Sequence, residues 1–163
     1  MKPSIRILLV GGGTIGHVTP VLAVATQLRQ LATERKISLE LRYIGRRKGI
    51  EQTIVEQAGL PFIGISAGKL RRYVDIQNLV DPFRVMVGFF EALIILHRFQ
   101  PDVLFAKGCY VSLPVVIAAN LLKISIVSHE TDSIIGLANR WTARMVTTLC
   151  VAFPIASYAH QRI

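Results

Sequence analysis

The chain has 163 residues, 52% of them hydrophobic, enough for one well-buried domain and too few for two of ordinary size. Nineteen Lys and Arg against ten Asp and Glu leave a net charge of +9, which favours phosphorylated substrates, anionic lipid or nucleic acid as partners. No basic arm with interleaved aromatics occurs, which sets nucleic acid aside, and two distant cysteines, Cys109 and Cys150, exclude a disulfide framework or a C-x-x-C zinc site and fit a reducing cytoplasm.

The opening "MKPSIRILLVGGG" has an apolar run too short for a signal peptide and reads as a first strand over residues 5–10. It runs into "GGGTIGHVTP", in which Gly11, Gly13 and Gly16 satisfy G-x-G-x-x-G between a strand and a helix. Glycines there permit tight turns and bring backbone amides close to a ligand, and the following helix adds partial positive charge, so the loop is a candidate diphosphate cradle. His17 stands at its mouth, where an imidazole can hydrogen-bond a phosphate or act as a general base.

The first helix is predicted over residues 18–33. A second strand, "LELRYI" over 39–44, runs into Arg46 and Arg47, where an NAD-binding domain would place an acid. NAD is thereby disfavoured, while NADP, which can use an arginine, stays open; the group Arg46, Arg47 and Lys48 also fits a solvated face. A helix over 50–57 and a third strand, "PFIGI" over 61–65, follow. The next loop is "SAGKLRRY"; read from Gly64, "GISAGKL" is one residue short of a P-loop and lacks its hydroxyl.

The third helix is expected over 82–99. Its segment "VMVGFFEALIIL" is far below the ~20 residues of a membrane span and contains Glu91, so it could lie on a bilayer but not cross one. Lys69, Arg71 and Arg72 with Phe83, Phe89 and Phe90 would supply basic and apolar groups together, although aromatics at helical spacing equally fit a core. The remaining elements are strand "DVLFA" over 102–106, loop "KGCYVSLP", helix 113–122, strand "SIVS" over 125–128, loop "HETDS", helix 135–145 and strand "TLCVA" over 148–152. No G-x-S-x-G elbow is present, and no metal-ligand spacing joins the four histidines and two cysteines.

This alternation predicts an α/β fold: a Rossmann-like, three-layer α/β/α domain with a mostly parallel sheet and ligands beyond the carboxyl ends of its strands. In order and spacing, "GGGTIGHVTP", "SAGKLRRY", "FAKGCYVSLPVVIAAN" and "HETDSIIGLANRW" resemble the amino-terminal half of the MurG family. The resemblance implies one half of a two-domain GT-B glycosyltransferase: residues 1–163 as the acceptor-binding domain, the carboxyl-terminal UDP-sugar-binding domain absent, and an end at residue 163 expected of a piece of a longer enzyme. It implies an inverting hexosyltransferase of peptidoglycan synthesis. That enzyme moves N-acetylglucosamine from UDP-N-acetylglucosamine to the 4-hydroxyl of undecaprenyl-diphospho-N-acetylmuramoyl-pentapeptide, peripherally on the cytoplasmic face of the bacterial cell membrane; no cofactor is expected, and the sequence leaves help from a divalent metal open.

Carried over by position, Gly12, Gly13, Thr14, Ile15, Gly16 and His17 would face the cleft and cradle the acceptor diphosphate, with Ile15 where many relatives have glycine. Lys107, Tyr110 and Ser112 would bind acceptor sugar or diphosphate oxygens, with Cys109 a packing residue at the family's second glycine. Asp132 stands where many members carry asparagine; as an ionised acceptor it suits a sugar hydroxyl. His17 is the first candidate for catalytic base and Glu130 the second, the alternative for Glu130 and for His129 being to tie their own loop to backbone amides. Two other functions compete: a non-catalytic lipid-acceptor-binding module completed by a separate donor-binding chain, and an NADP-binding oxidoreductase domain, which explains none of "HETDSIIGLAN".

Overall fold

The computed structural model describes residues 4–68, 77–132 and 137–153. Six strands, β1 (Ser4–Val10), β2 (Ser38–Arg46), β3 (Phe62–Ile65), β4 (Val103–Lys107), β5 (Ser125–Glu130) and β6 (Thr148–Val151), form one sheet in the order β3-β2-β1-β4-β5-β6. Every pairing is parallel, so the sheet expected to be mostly parallel is wholly so among the described residues. Helices α1 (Ile15–Glu34), α2 (Glu51–Gln57), α3 (Gln77–Phe99), α4 (Ser112–Leu121) and α5 (Leu137–Thr142) connect the strands, α5 running into a 3-10 turn at Ala143–Met145.

Leu8, Leu9 and Val10 are all buried, because successive strand residues face opposite sides and helices cover both. Leu8, Val10, Ile44, Leu104 and Ala106 pack against Ala92, Leu96 and Phe99 of α3 and Val115 and Ala119 of α4. On the other face Leu9, Leu41, Tyr43 and Phe105 pack against Val18, Val21 and Ala25 of α1 and Val55 of α2. Burying apolar side chains of this size contributes about 1.5–3 kcal/mol each, set against the conformational entropy of ordering them.

Two helices begin earlier than the sequence predicts. α1 starts at Ile15, so Ile15, Gly16 and His17 form its first turn instead of a loop. α3 starts at Gln77 and carries Pro82 inside, where proline's preference for a first turn had placed the helix start. The expected start of the fifth helix, residue 135, lies outside the described residues, as do Lys69, Arg71 and Arg72.

The order of strands fixes where a ligand can sit. β1 and β4 are neighbours, but the chain leaving β1 crosses toward β2 and the chain leaving β4 crosses toward β5. Their outgoing loops therefore diverge and open a crevice at the carboxyl end of the sheet, the usual ligand position in such folds.

Candidate functional site

The glycine loop leaves β1 at this crevice. The Gly11 N–H donates to Ile44 O at 3.4 Å, which extends the β1–β2 ladder by one step before the chain turns. Gly13 has φ +83°, a left-handed conformation natural only to glycine, and the Tyr110 ring lies so close that a Cβ there would stand 2.9 Å from its Cζ. Thr14 caps α1 in extended conformation, and its side chain makes no capping hydrogen bond. The His17 N–H donates to Thr14 O at 3.1 Å, which leaves the Ile15 and Gly16 amides to face an anion at the positive end of a 20-residue helix.

His17 sits in that first turn, half-buried, with its Nδ1 buried and without a hydrogen-bond partner. Burial first, then the charge of Lys107, hold the imidazole below its ordinary range, against smaller upward pulls from Asp132 and Glu130. At neutral pH the ring is therefore an uncharged base.

Lys107 and Glu130 end β4 and β5 and are both buried, Nζ standing 4.0 Å from Glu130 Oε1. Lys107 Nζ has no hydrogen-bond partner, whereas both Glu130 oxygens are engaged. Glu130 Oε1 accepts the Asp132 N–H at 3.0 Å, and Oε2 accepts from Asn139 Nδ2 of α5. Glu130 thus ties its loop down while balancing a buried cation, and leaves Asp132 exposed at the rim.

The loop after β4 divides the residues expected there. Tyr110 is half-buried over Gly13; burial pushes its hydroxyl pKa up and the Arg46 guanidinium pulls it down. Ser112 is buried in the first turn of α4, its Oγ donating to Cys109 O at 2.7 Å and accepting the Cys109 N–H at 3.2 Å. Its hydroxyl is spent on the turn, so the structure does not bring it to the crevice surface. Cys109 is buried and burial raises its thiol pKa, while His129 is half-buried with its ring 6.5 Å from Phe105. Ile15, the first residue of α1, is 57% exposed.

Beneath the loop lies a group that the sequence reading did not single out. Glu51, at the start of α2, is fully buried; its Oε1 accepts the Arg46 N–H at 2.8 Å and its Oε2 has no partner. Glycines from three segments make room for this carboxyl group: a Cβ would stand 2.9 Å from Glu51 Cδ at Gly12, 3.0 Å from Cγ at Gly45 and 2.5 Å from Cδ at Gly49. The buried Tyr43 hydroxyl, also without a partner, lies against Gly11. The spacing of Gly45, Gly49 and Glu51 was the available signal, since two glycines flanking a basic turn before a buried acid mark a close approach.

Among the described residues no group of three or more His, Cys, Asp or Glu is placed to hold a metal. The crevice instead combines an uncharged imidazole, amide donors, a buried cation and exposed acceptors, a set that suits a phosphorylated, hydroxyl-bearing ligand.

Residues 7–151 match the glycosyltransferase family 28 N-terminal domain. Over 149 residues the chain is 48% identical to the UDP-N-acetylglucosamine--N-acetylmuramyl-(pentapeptide) pyrophosphoryl-undecaprenol N-acetylglucosamine transferase of Clostridium perfringens, covering 91% of this chain and 40% of that protein. The protein of the same name from Clostridium botulinum is 47% identical with the same coverage. Among solved structures, MurG of Acinetobacter baumannii superposes with a TM-score of 0.82 at 28% identity, over 98% of this chain and 45% of that one. The chain thus spans 40% of the length of the curated relatives it matches, and the loops after β1, β4 and β5 all fall inside the matched region. The chain belongs to the glycosyltransferase family 28 N-terminal domain family.

Proposed function

We propose that this chain is the acceptor-binding half of an inverting N-acetylglucosaminyltransferase of peptidoglycan synthesis. Its acceptor is undecaprenyl-diphospho-N-acetylmuramoyl-pentapeptide, and its donor is UDP-N-acetylglucosamine held largely by a second domain. One observation carries the reading: a chain 48% identical to enzymes named for this transfer brings its glycine, Tyr110 and Asp132 loops to one end of the sheet.

In the reaction the muramyl 4-hydroxyl oxygen bonds to the anomeric carbon of N-acetylglucosamine, the bond from that carbon to UDP breaks with its electron pair going to UDP, and the configuration inverts. His17 takes the hydroxyl proton, for which its depressed pKa keeps it unprotonated near neutrality. The acceptor diphosphate lies on the Ile15 and Gly16 amides of α1, where fixed dipoles hold negative charge without reorganising. Glu130, with both oxygens engaged, acts through Asp132 and Asn139 as a positioning residue, and Asp132 accepts a sugar hydroxyl.

The acceptor's polyprenyl chain places the work at the cytoplasmic face of the membrane. Val80, Phe83, Val87, Phe90 and Ile94 recur every three or four residues on α3 and are each 46–64% exposed. They form an apolar stripe about 21 Å long with Met86 beside it, while Ala92, Leu96 and Phe99 of the same helix enter the core. Phe89 packs on the core and is no part of the stripe. Among the described residues no helix is long and apolar enough to cross a membrane, so we assign α3 to the bilayer surface.

The test is equilibrium binding of a synthetic short-chain muramyl-pentapeptide diphosphoryl prenol to this chain, with NADP as competitor. Saturable binding that His17→Ala weakens and NADP leaves untouched is expected. Tight NADP binding with none of the acceptor would overturn the reading.

A further inference from the structure

The basic turn after β2 reads from sequence as a solvated face, but its three cations have different fates. Arg47 is paired with Glu91 of α3 at 2.7 Å, and Glu91 also accepts the Ser66 N–H at 2.6 Å, so this pair fastens α3 to the end of β3. Lys48 is exposed in a left-handed turn with φ +58°. Arg46 is the last residue of β2, and no ion pair occupies it among the described residues.

The position of Arg46 follows from the sheet. Val10 is the last residue of β1 in register with β2, opposite Ile44, and the Gly11 N–H still reaches Ile44 O, so Arg46 lies just past the paired ladder, on the side of the glycine loop. Alternation puts its side chain on the same face as Ile44, the face on which Tyr110 packs. The Glu51 carboxylate underlies both neighbours at once: it accepts the Arg46 N–H and fills the space beneath Gly12 that a side chain there would need. Arg46 thus shares a rim with Gly12, Gly13 and Tyr110, and its guanidinium acts on the Tyr110 hydroxyl. Lys107, the cation that the sequence places in the site, has its Nζ buried against Glu130, with no surface to offer a ligand.

We infer that Arg46 is the cation that contacts the ligand diphosphate at the rim of the glycine loop, with Lys107 acting only from beneath. This rests on the acceptor reading above and supplies the charged contact that reading lacks. An arginine suits the position, since its planar fork can bind two phosphate oxygens at once while the loop amides bind the others. Because the Arg46 backbone N–H is fixed by Glu51, the strand end keeps its anchor when the guanidinium is removed, and what is given up is the hydrogen bond between the guanidinium and the Tyr110 hydroxyl.

The experiment measures Kd of the 163-residue chain for the synthetic prenyl-diphosphoryl-muramyl-pentapeptide, for inorganic pyrophosphate and for NADP, in wild type, Arg46→Ala, Arg46→Lys, Arg47→Ala and Lys48→Ala. Losing a charge-assisted contact should weaken Arg46→Ala about tenfold for both acceptor and pyrophosphate, with Arg46→Lys recovering part of the loss. Arg47→Ala and Lys48→Ala should stay within about twofold, since screened surface charges contribute little. An unchanged melting temperature in Arg46→Ala separates lost contact from lost fold, and Arg46→Gln serves if the alanine variant folds poorly.

Acceptor binding by wild type that Arg46→Ala leaves intact would overturn the inference and leave the acceptor reading standing. Pyrophosphate binding through Arg46 without acceptor binding would do the reverse, keeping a diphosphate contact and removing its proposed ligand. Tight NADP binding lost in Arg46→Ala would reassign the arginine to a dinucleotide phosphate and overturn both, as would wild type binding none of the three.

Discussion

His17 and Glu130 are titratable groups at the mouth of one crevice, yet only His17 has a free, half-buried ring to receive a proton. Glu130 has both oxygens committed to Asp132 and Asn139 and faces a buried lysine, so its carboxylate holds the loop and has no lone oxygen to offer a substrate hydroxyl. In an enzyme completed by its donor domain, His17→Ala should lower turnover about 10²-fold or more, and near-normal turnover would remove it from the chemistry. The pH profile gives a finer check. A base works unprotonated, so kcat/KM should fall as acid protonates His17, and since burial and Lys107 lower its pKa, that limb lies below pH 6.5. Lys107→Met removes the cation and leaves Glu130 and Asp132, so the limb should move to higher pH; a limb that stays put would dissociate it from His17. The glycine loop and His17 were legible because their chemistry is contiguous in the chain. Glu51 and Tyr43 were not, because what makes them notable is burial beneath a loop more than 25 residues away; the Gly45 and Gly49 spacing signals a close approach near Glu51 but not which loop makes it.

Helix ends show the same division between local and tertiary information. α1, α2 and α4 each close with a residue at positive φ, Lys36 (+54°), Gly59 (+68°) and Lys123 (+56°), after which an N–H reaches back five residues. These bonds are Ile37 to Ala32 O at 2.9 Å, Leu60 to Val55 O at 3.2 Å and Ile124 to Ala119 O at 3.0 Å. Such turns normally use glycine, and only α2 does so; the lysines adopt a conformation unfavourable to a side chain by roughly 1 kcal/mol. Lys123→Gly should therefore stabilise the chain by up to about 1 kcal/mol, less the greater unfolded-state entropy of glycine, read as a higher urea midpoint at unchanged m-value. A lower midpoint would mean that the lysine stem contributes more by packing than its backbone costs. The sequence placed all six strands, since short β-branched runs between turn residues are a local signal. It began α1 and α3 late, at residues 18 and 82, because a glycine run reads as loop and a proline as a first helical residue, yet Gly16 is exposed in a first turn and Pro82 sits in a helix that starts five residues before it.

At the scale of the molecule, charge and apolar surface have to be weighed together. A net charge of +9 on 163 residues draws the chain to any anionic surface, but that attraction is long-ranged and screened over about 8 Å at physiological salt. The α3 stripe is different in kind: Phe83 and Phe90, 64% and 55% exposed, lie seven residues apart on one side of the helix and can enter a bilayer interface together. Neither contribution suffices alone for firm attachment, as polybasic groups and single apolar anchors are each marginal. The two are separable by experiment. Binding to vesicles containing anionic lipid should weaken as salt rises and nearly vanish on neutral vesicles, while Phe83→Ser with Phe90→Ser should weaken it at every salt concentration by a similar factor. Those substitutions change exposed side chains, so the melting temperature should hold. Vesicle binding indifferent to both lipid charge and salt would remove the electrostatic part, and binding indifferent to the two phenylalanines would move the membrane contact off α3.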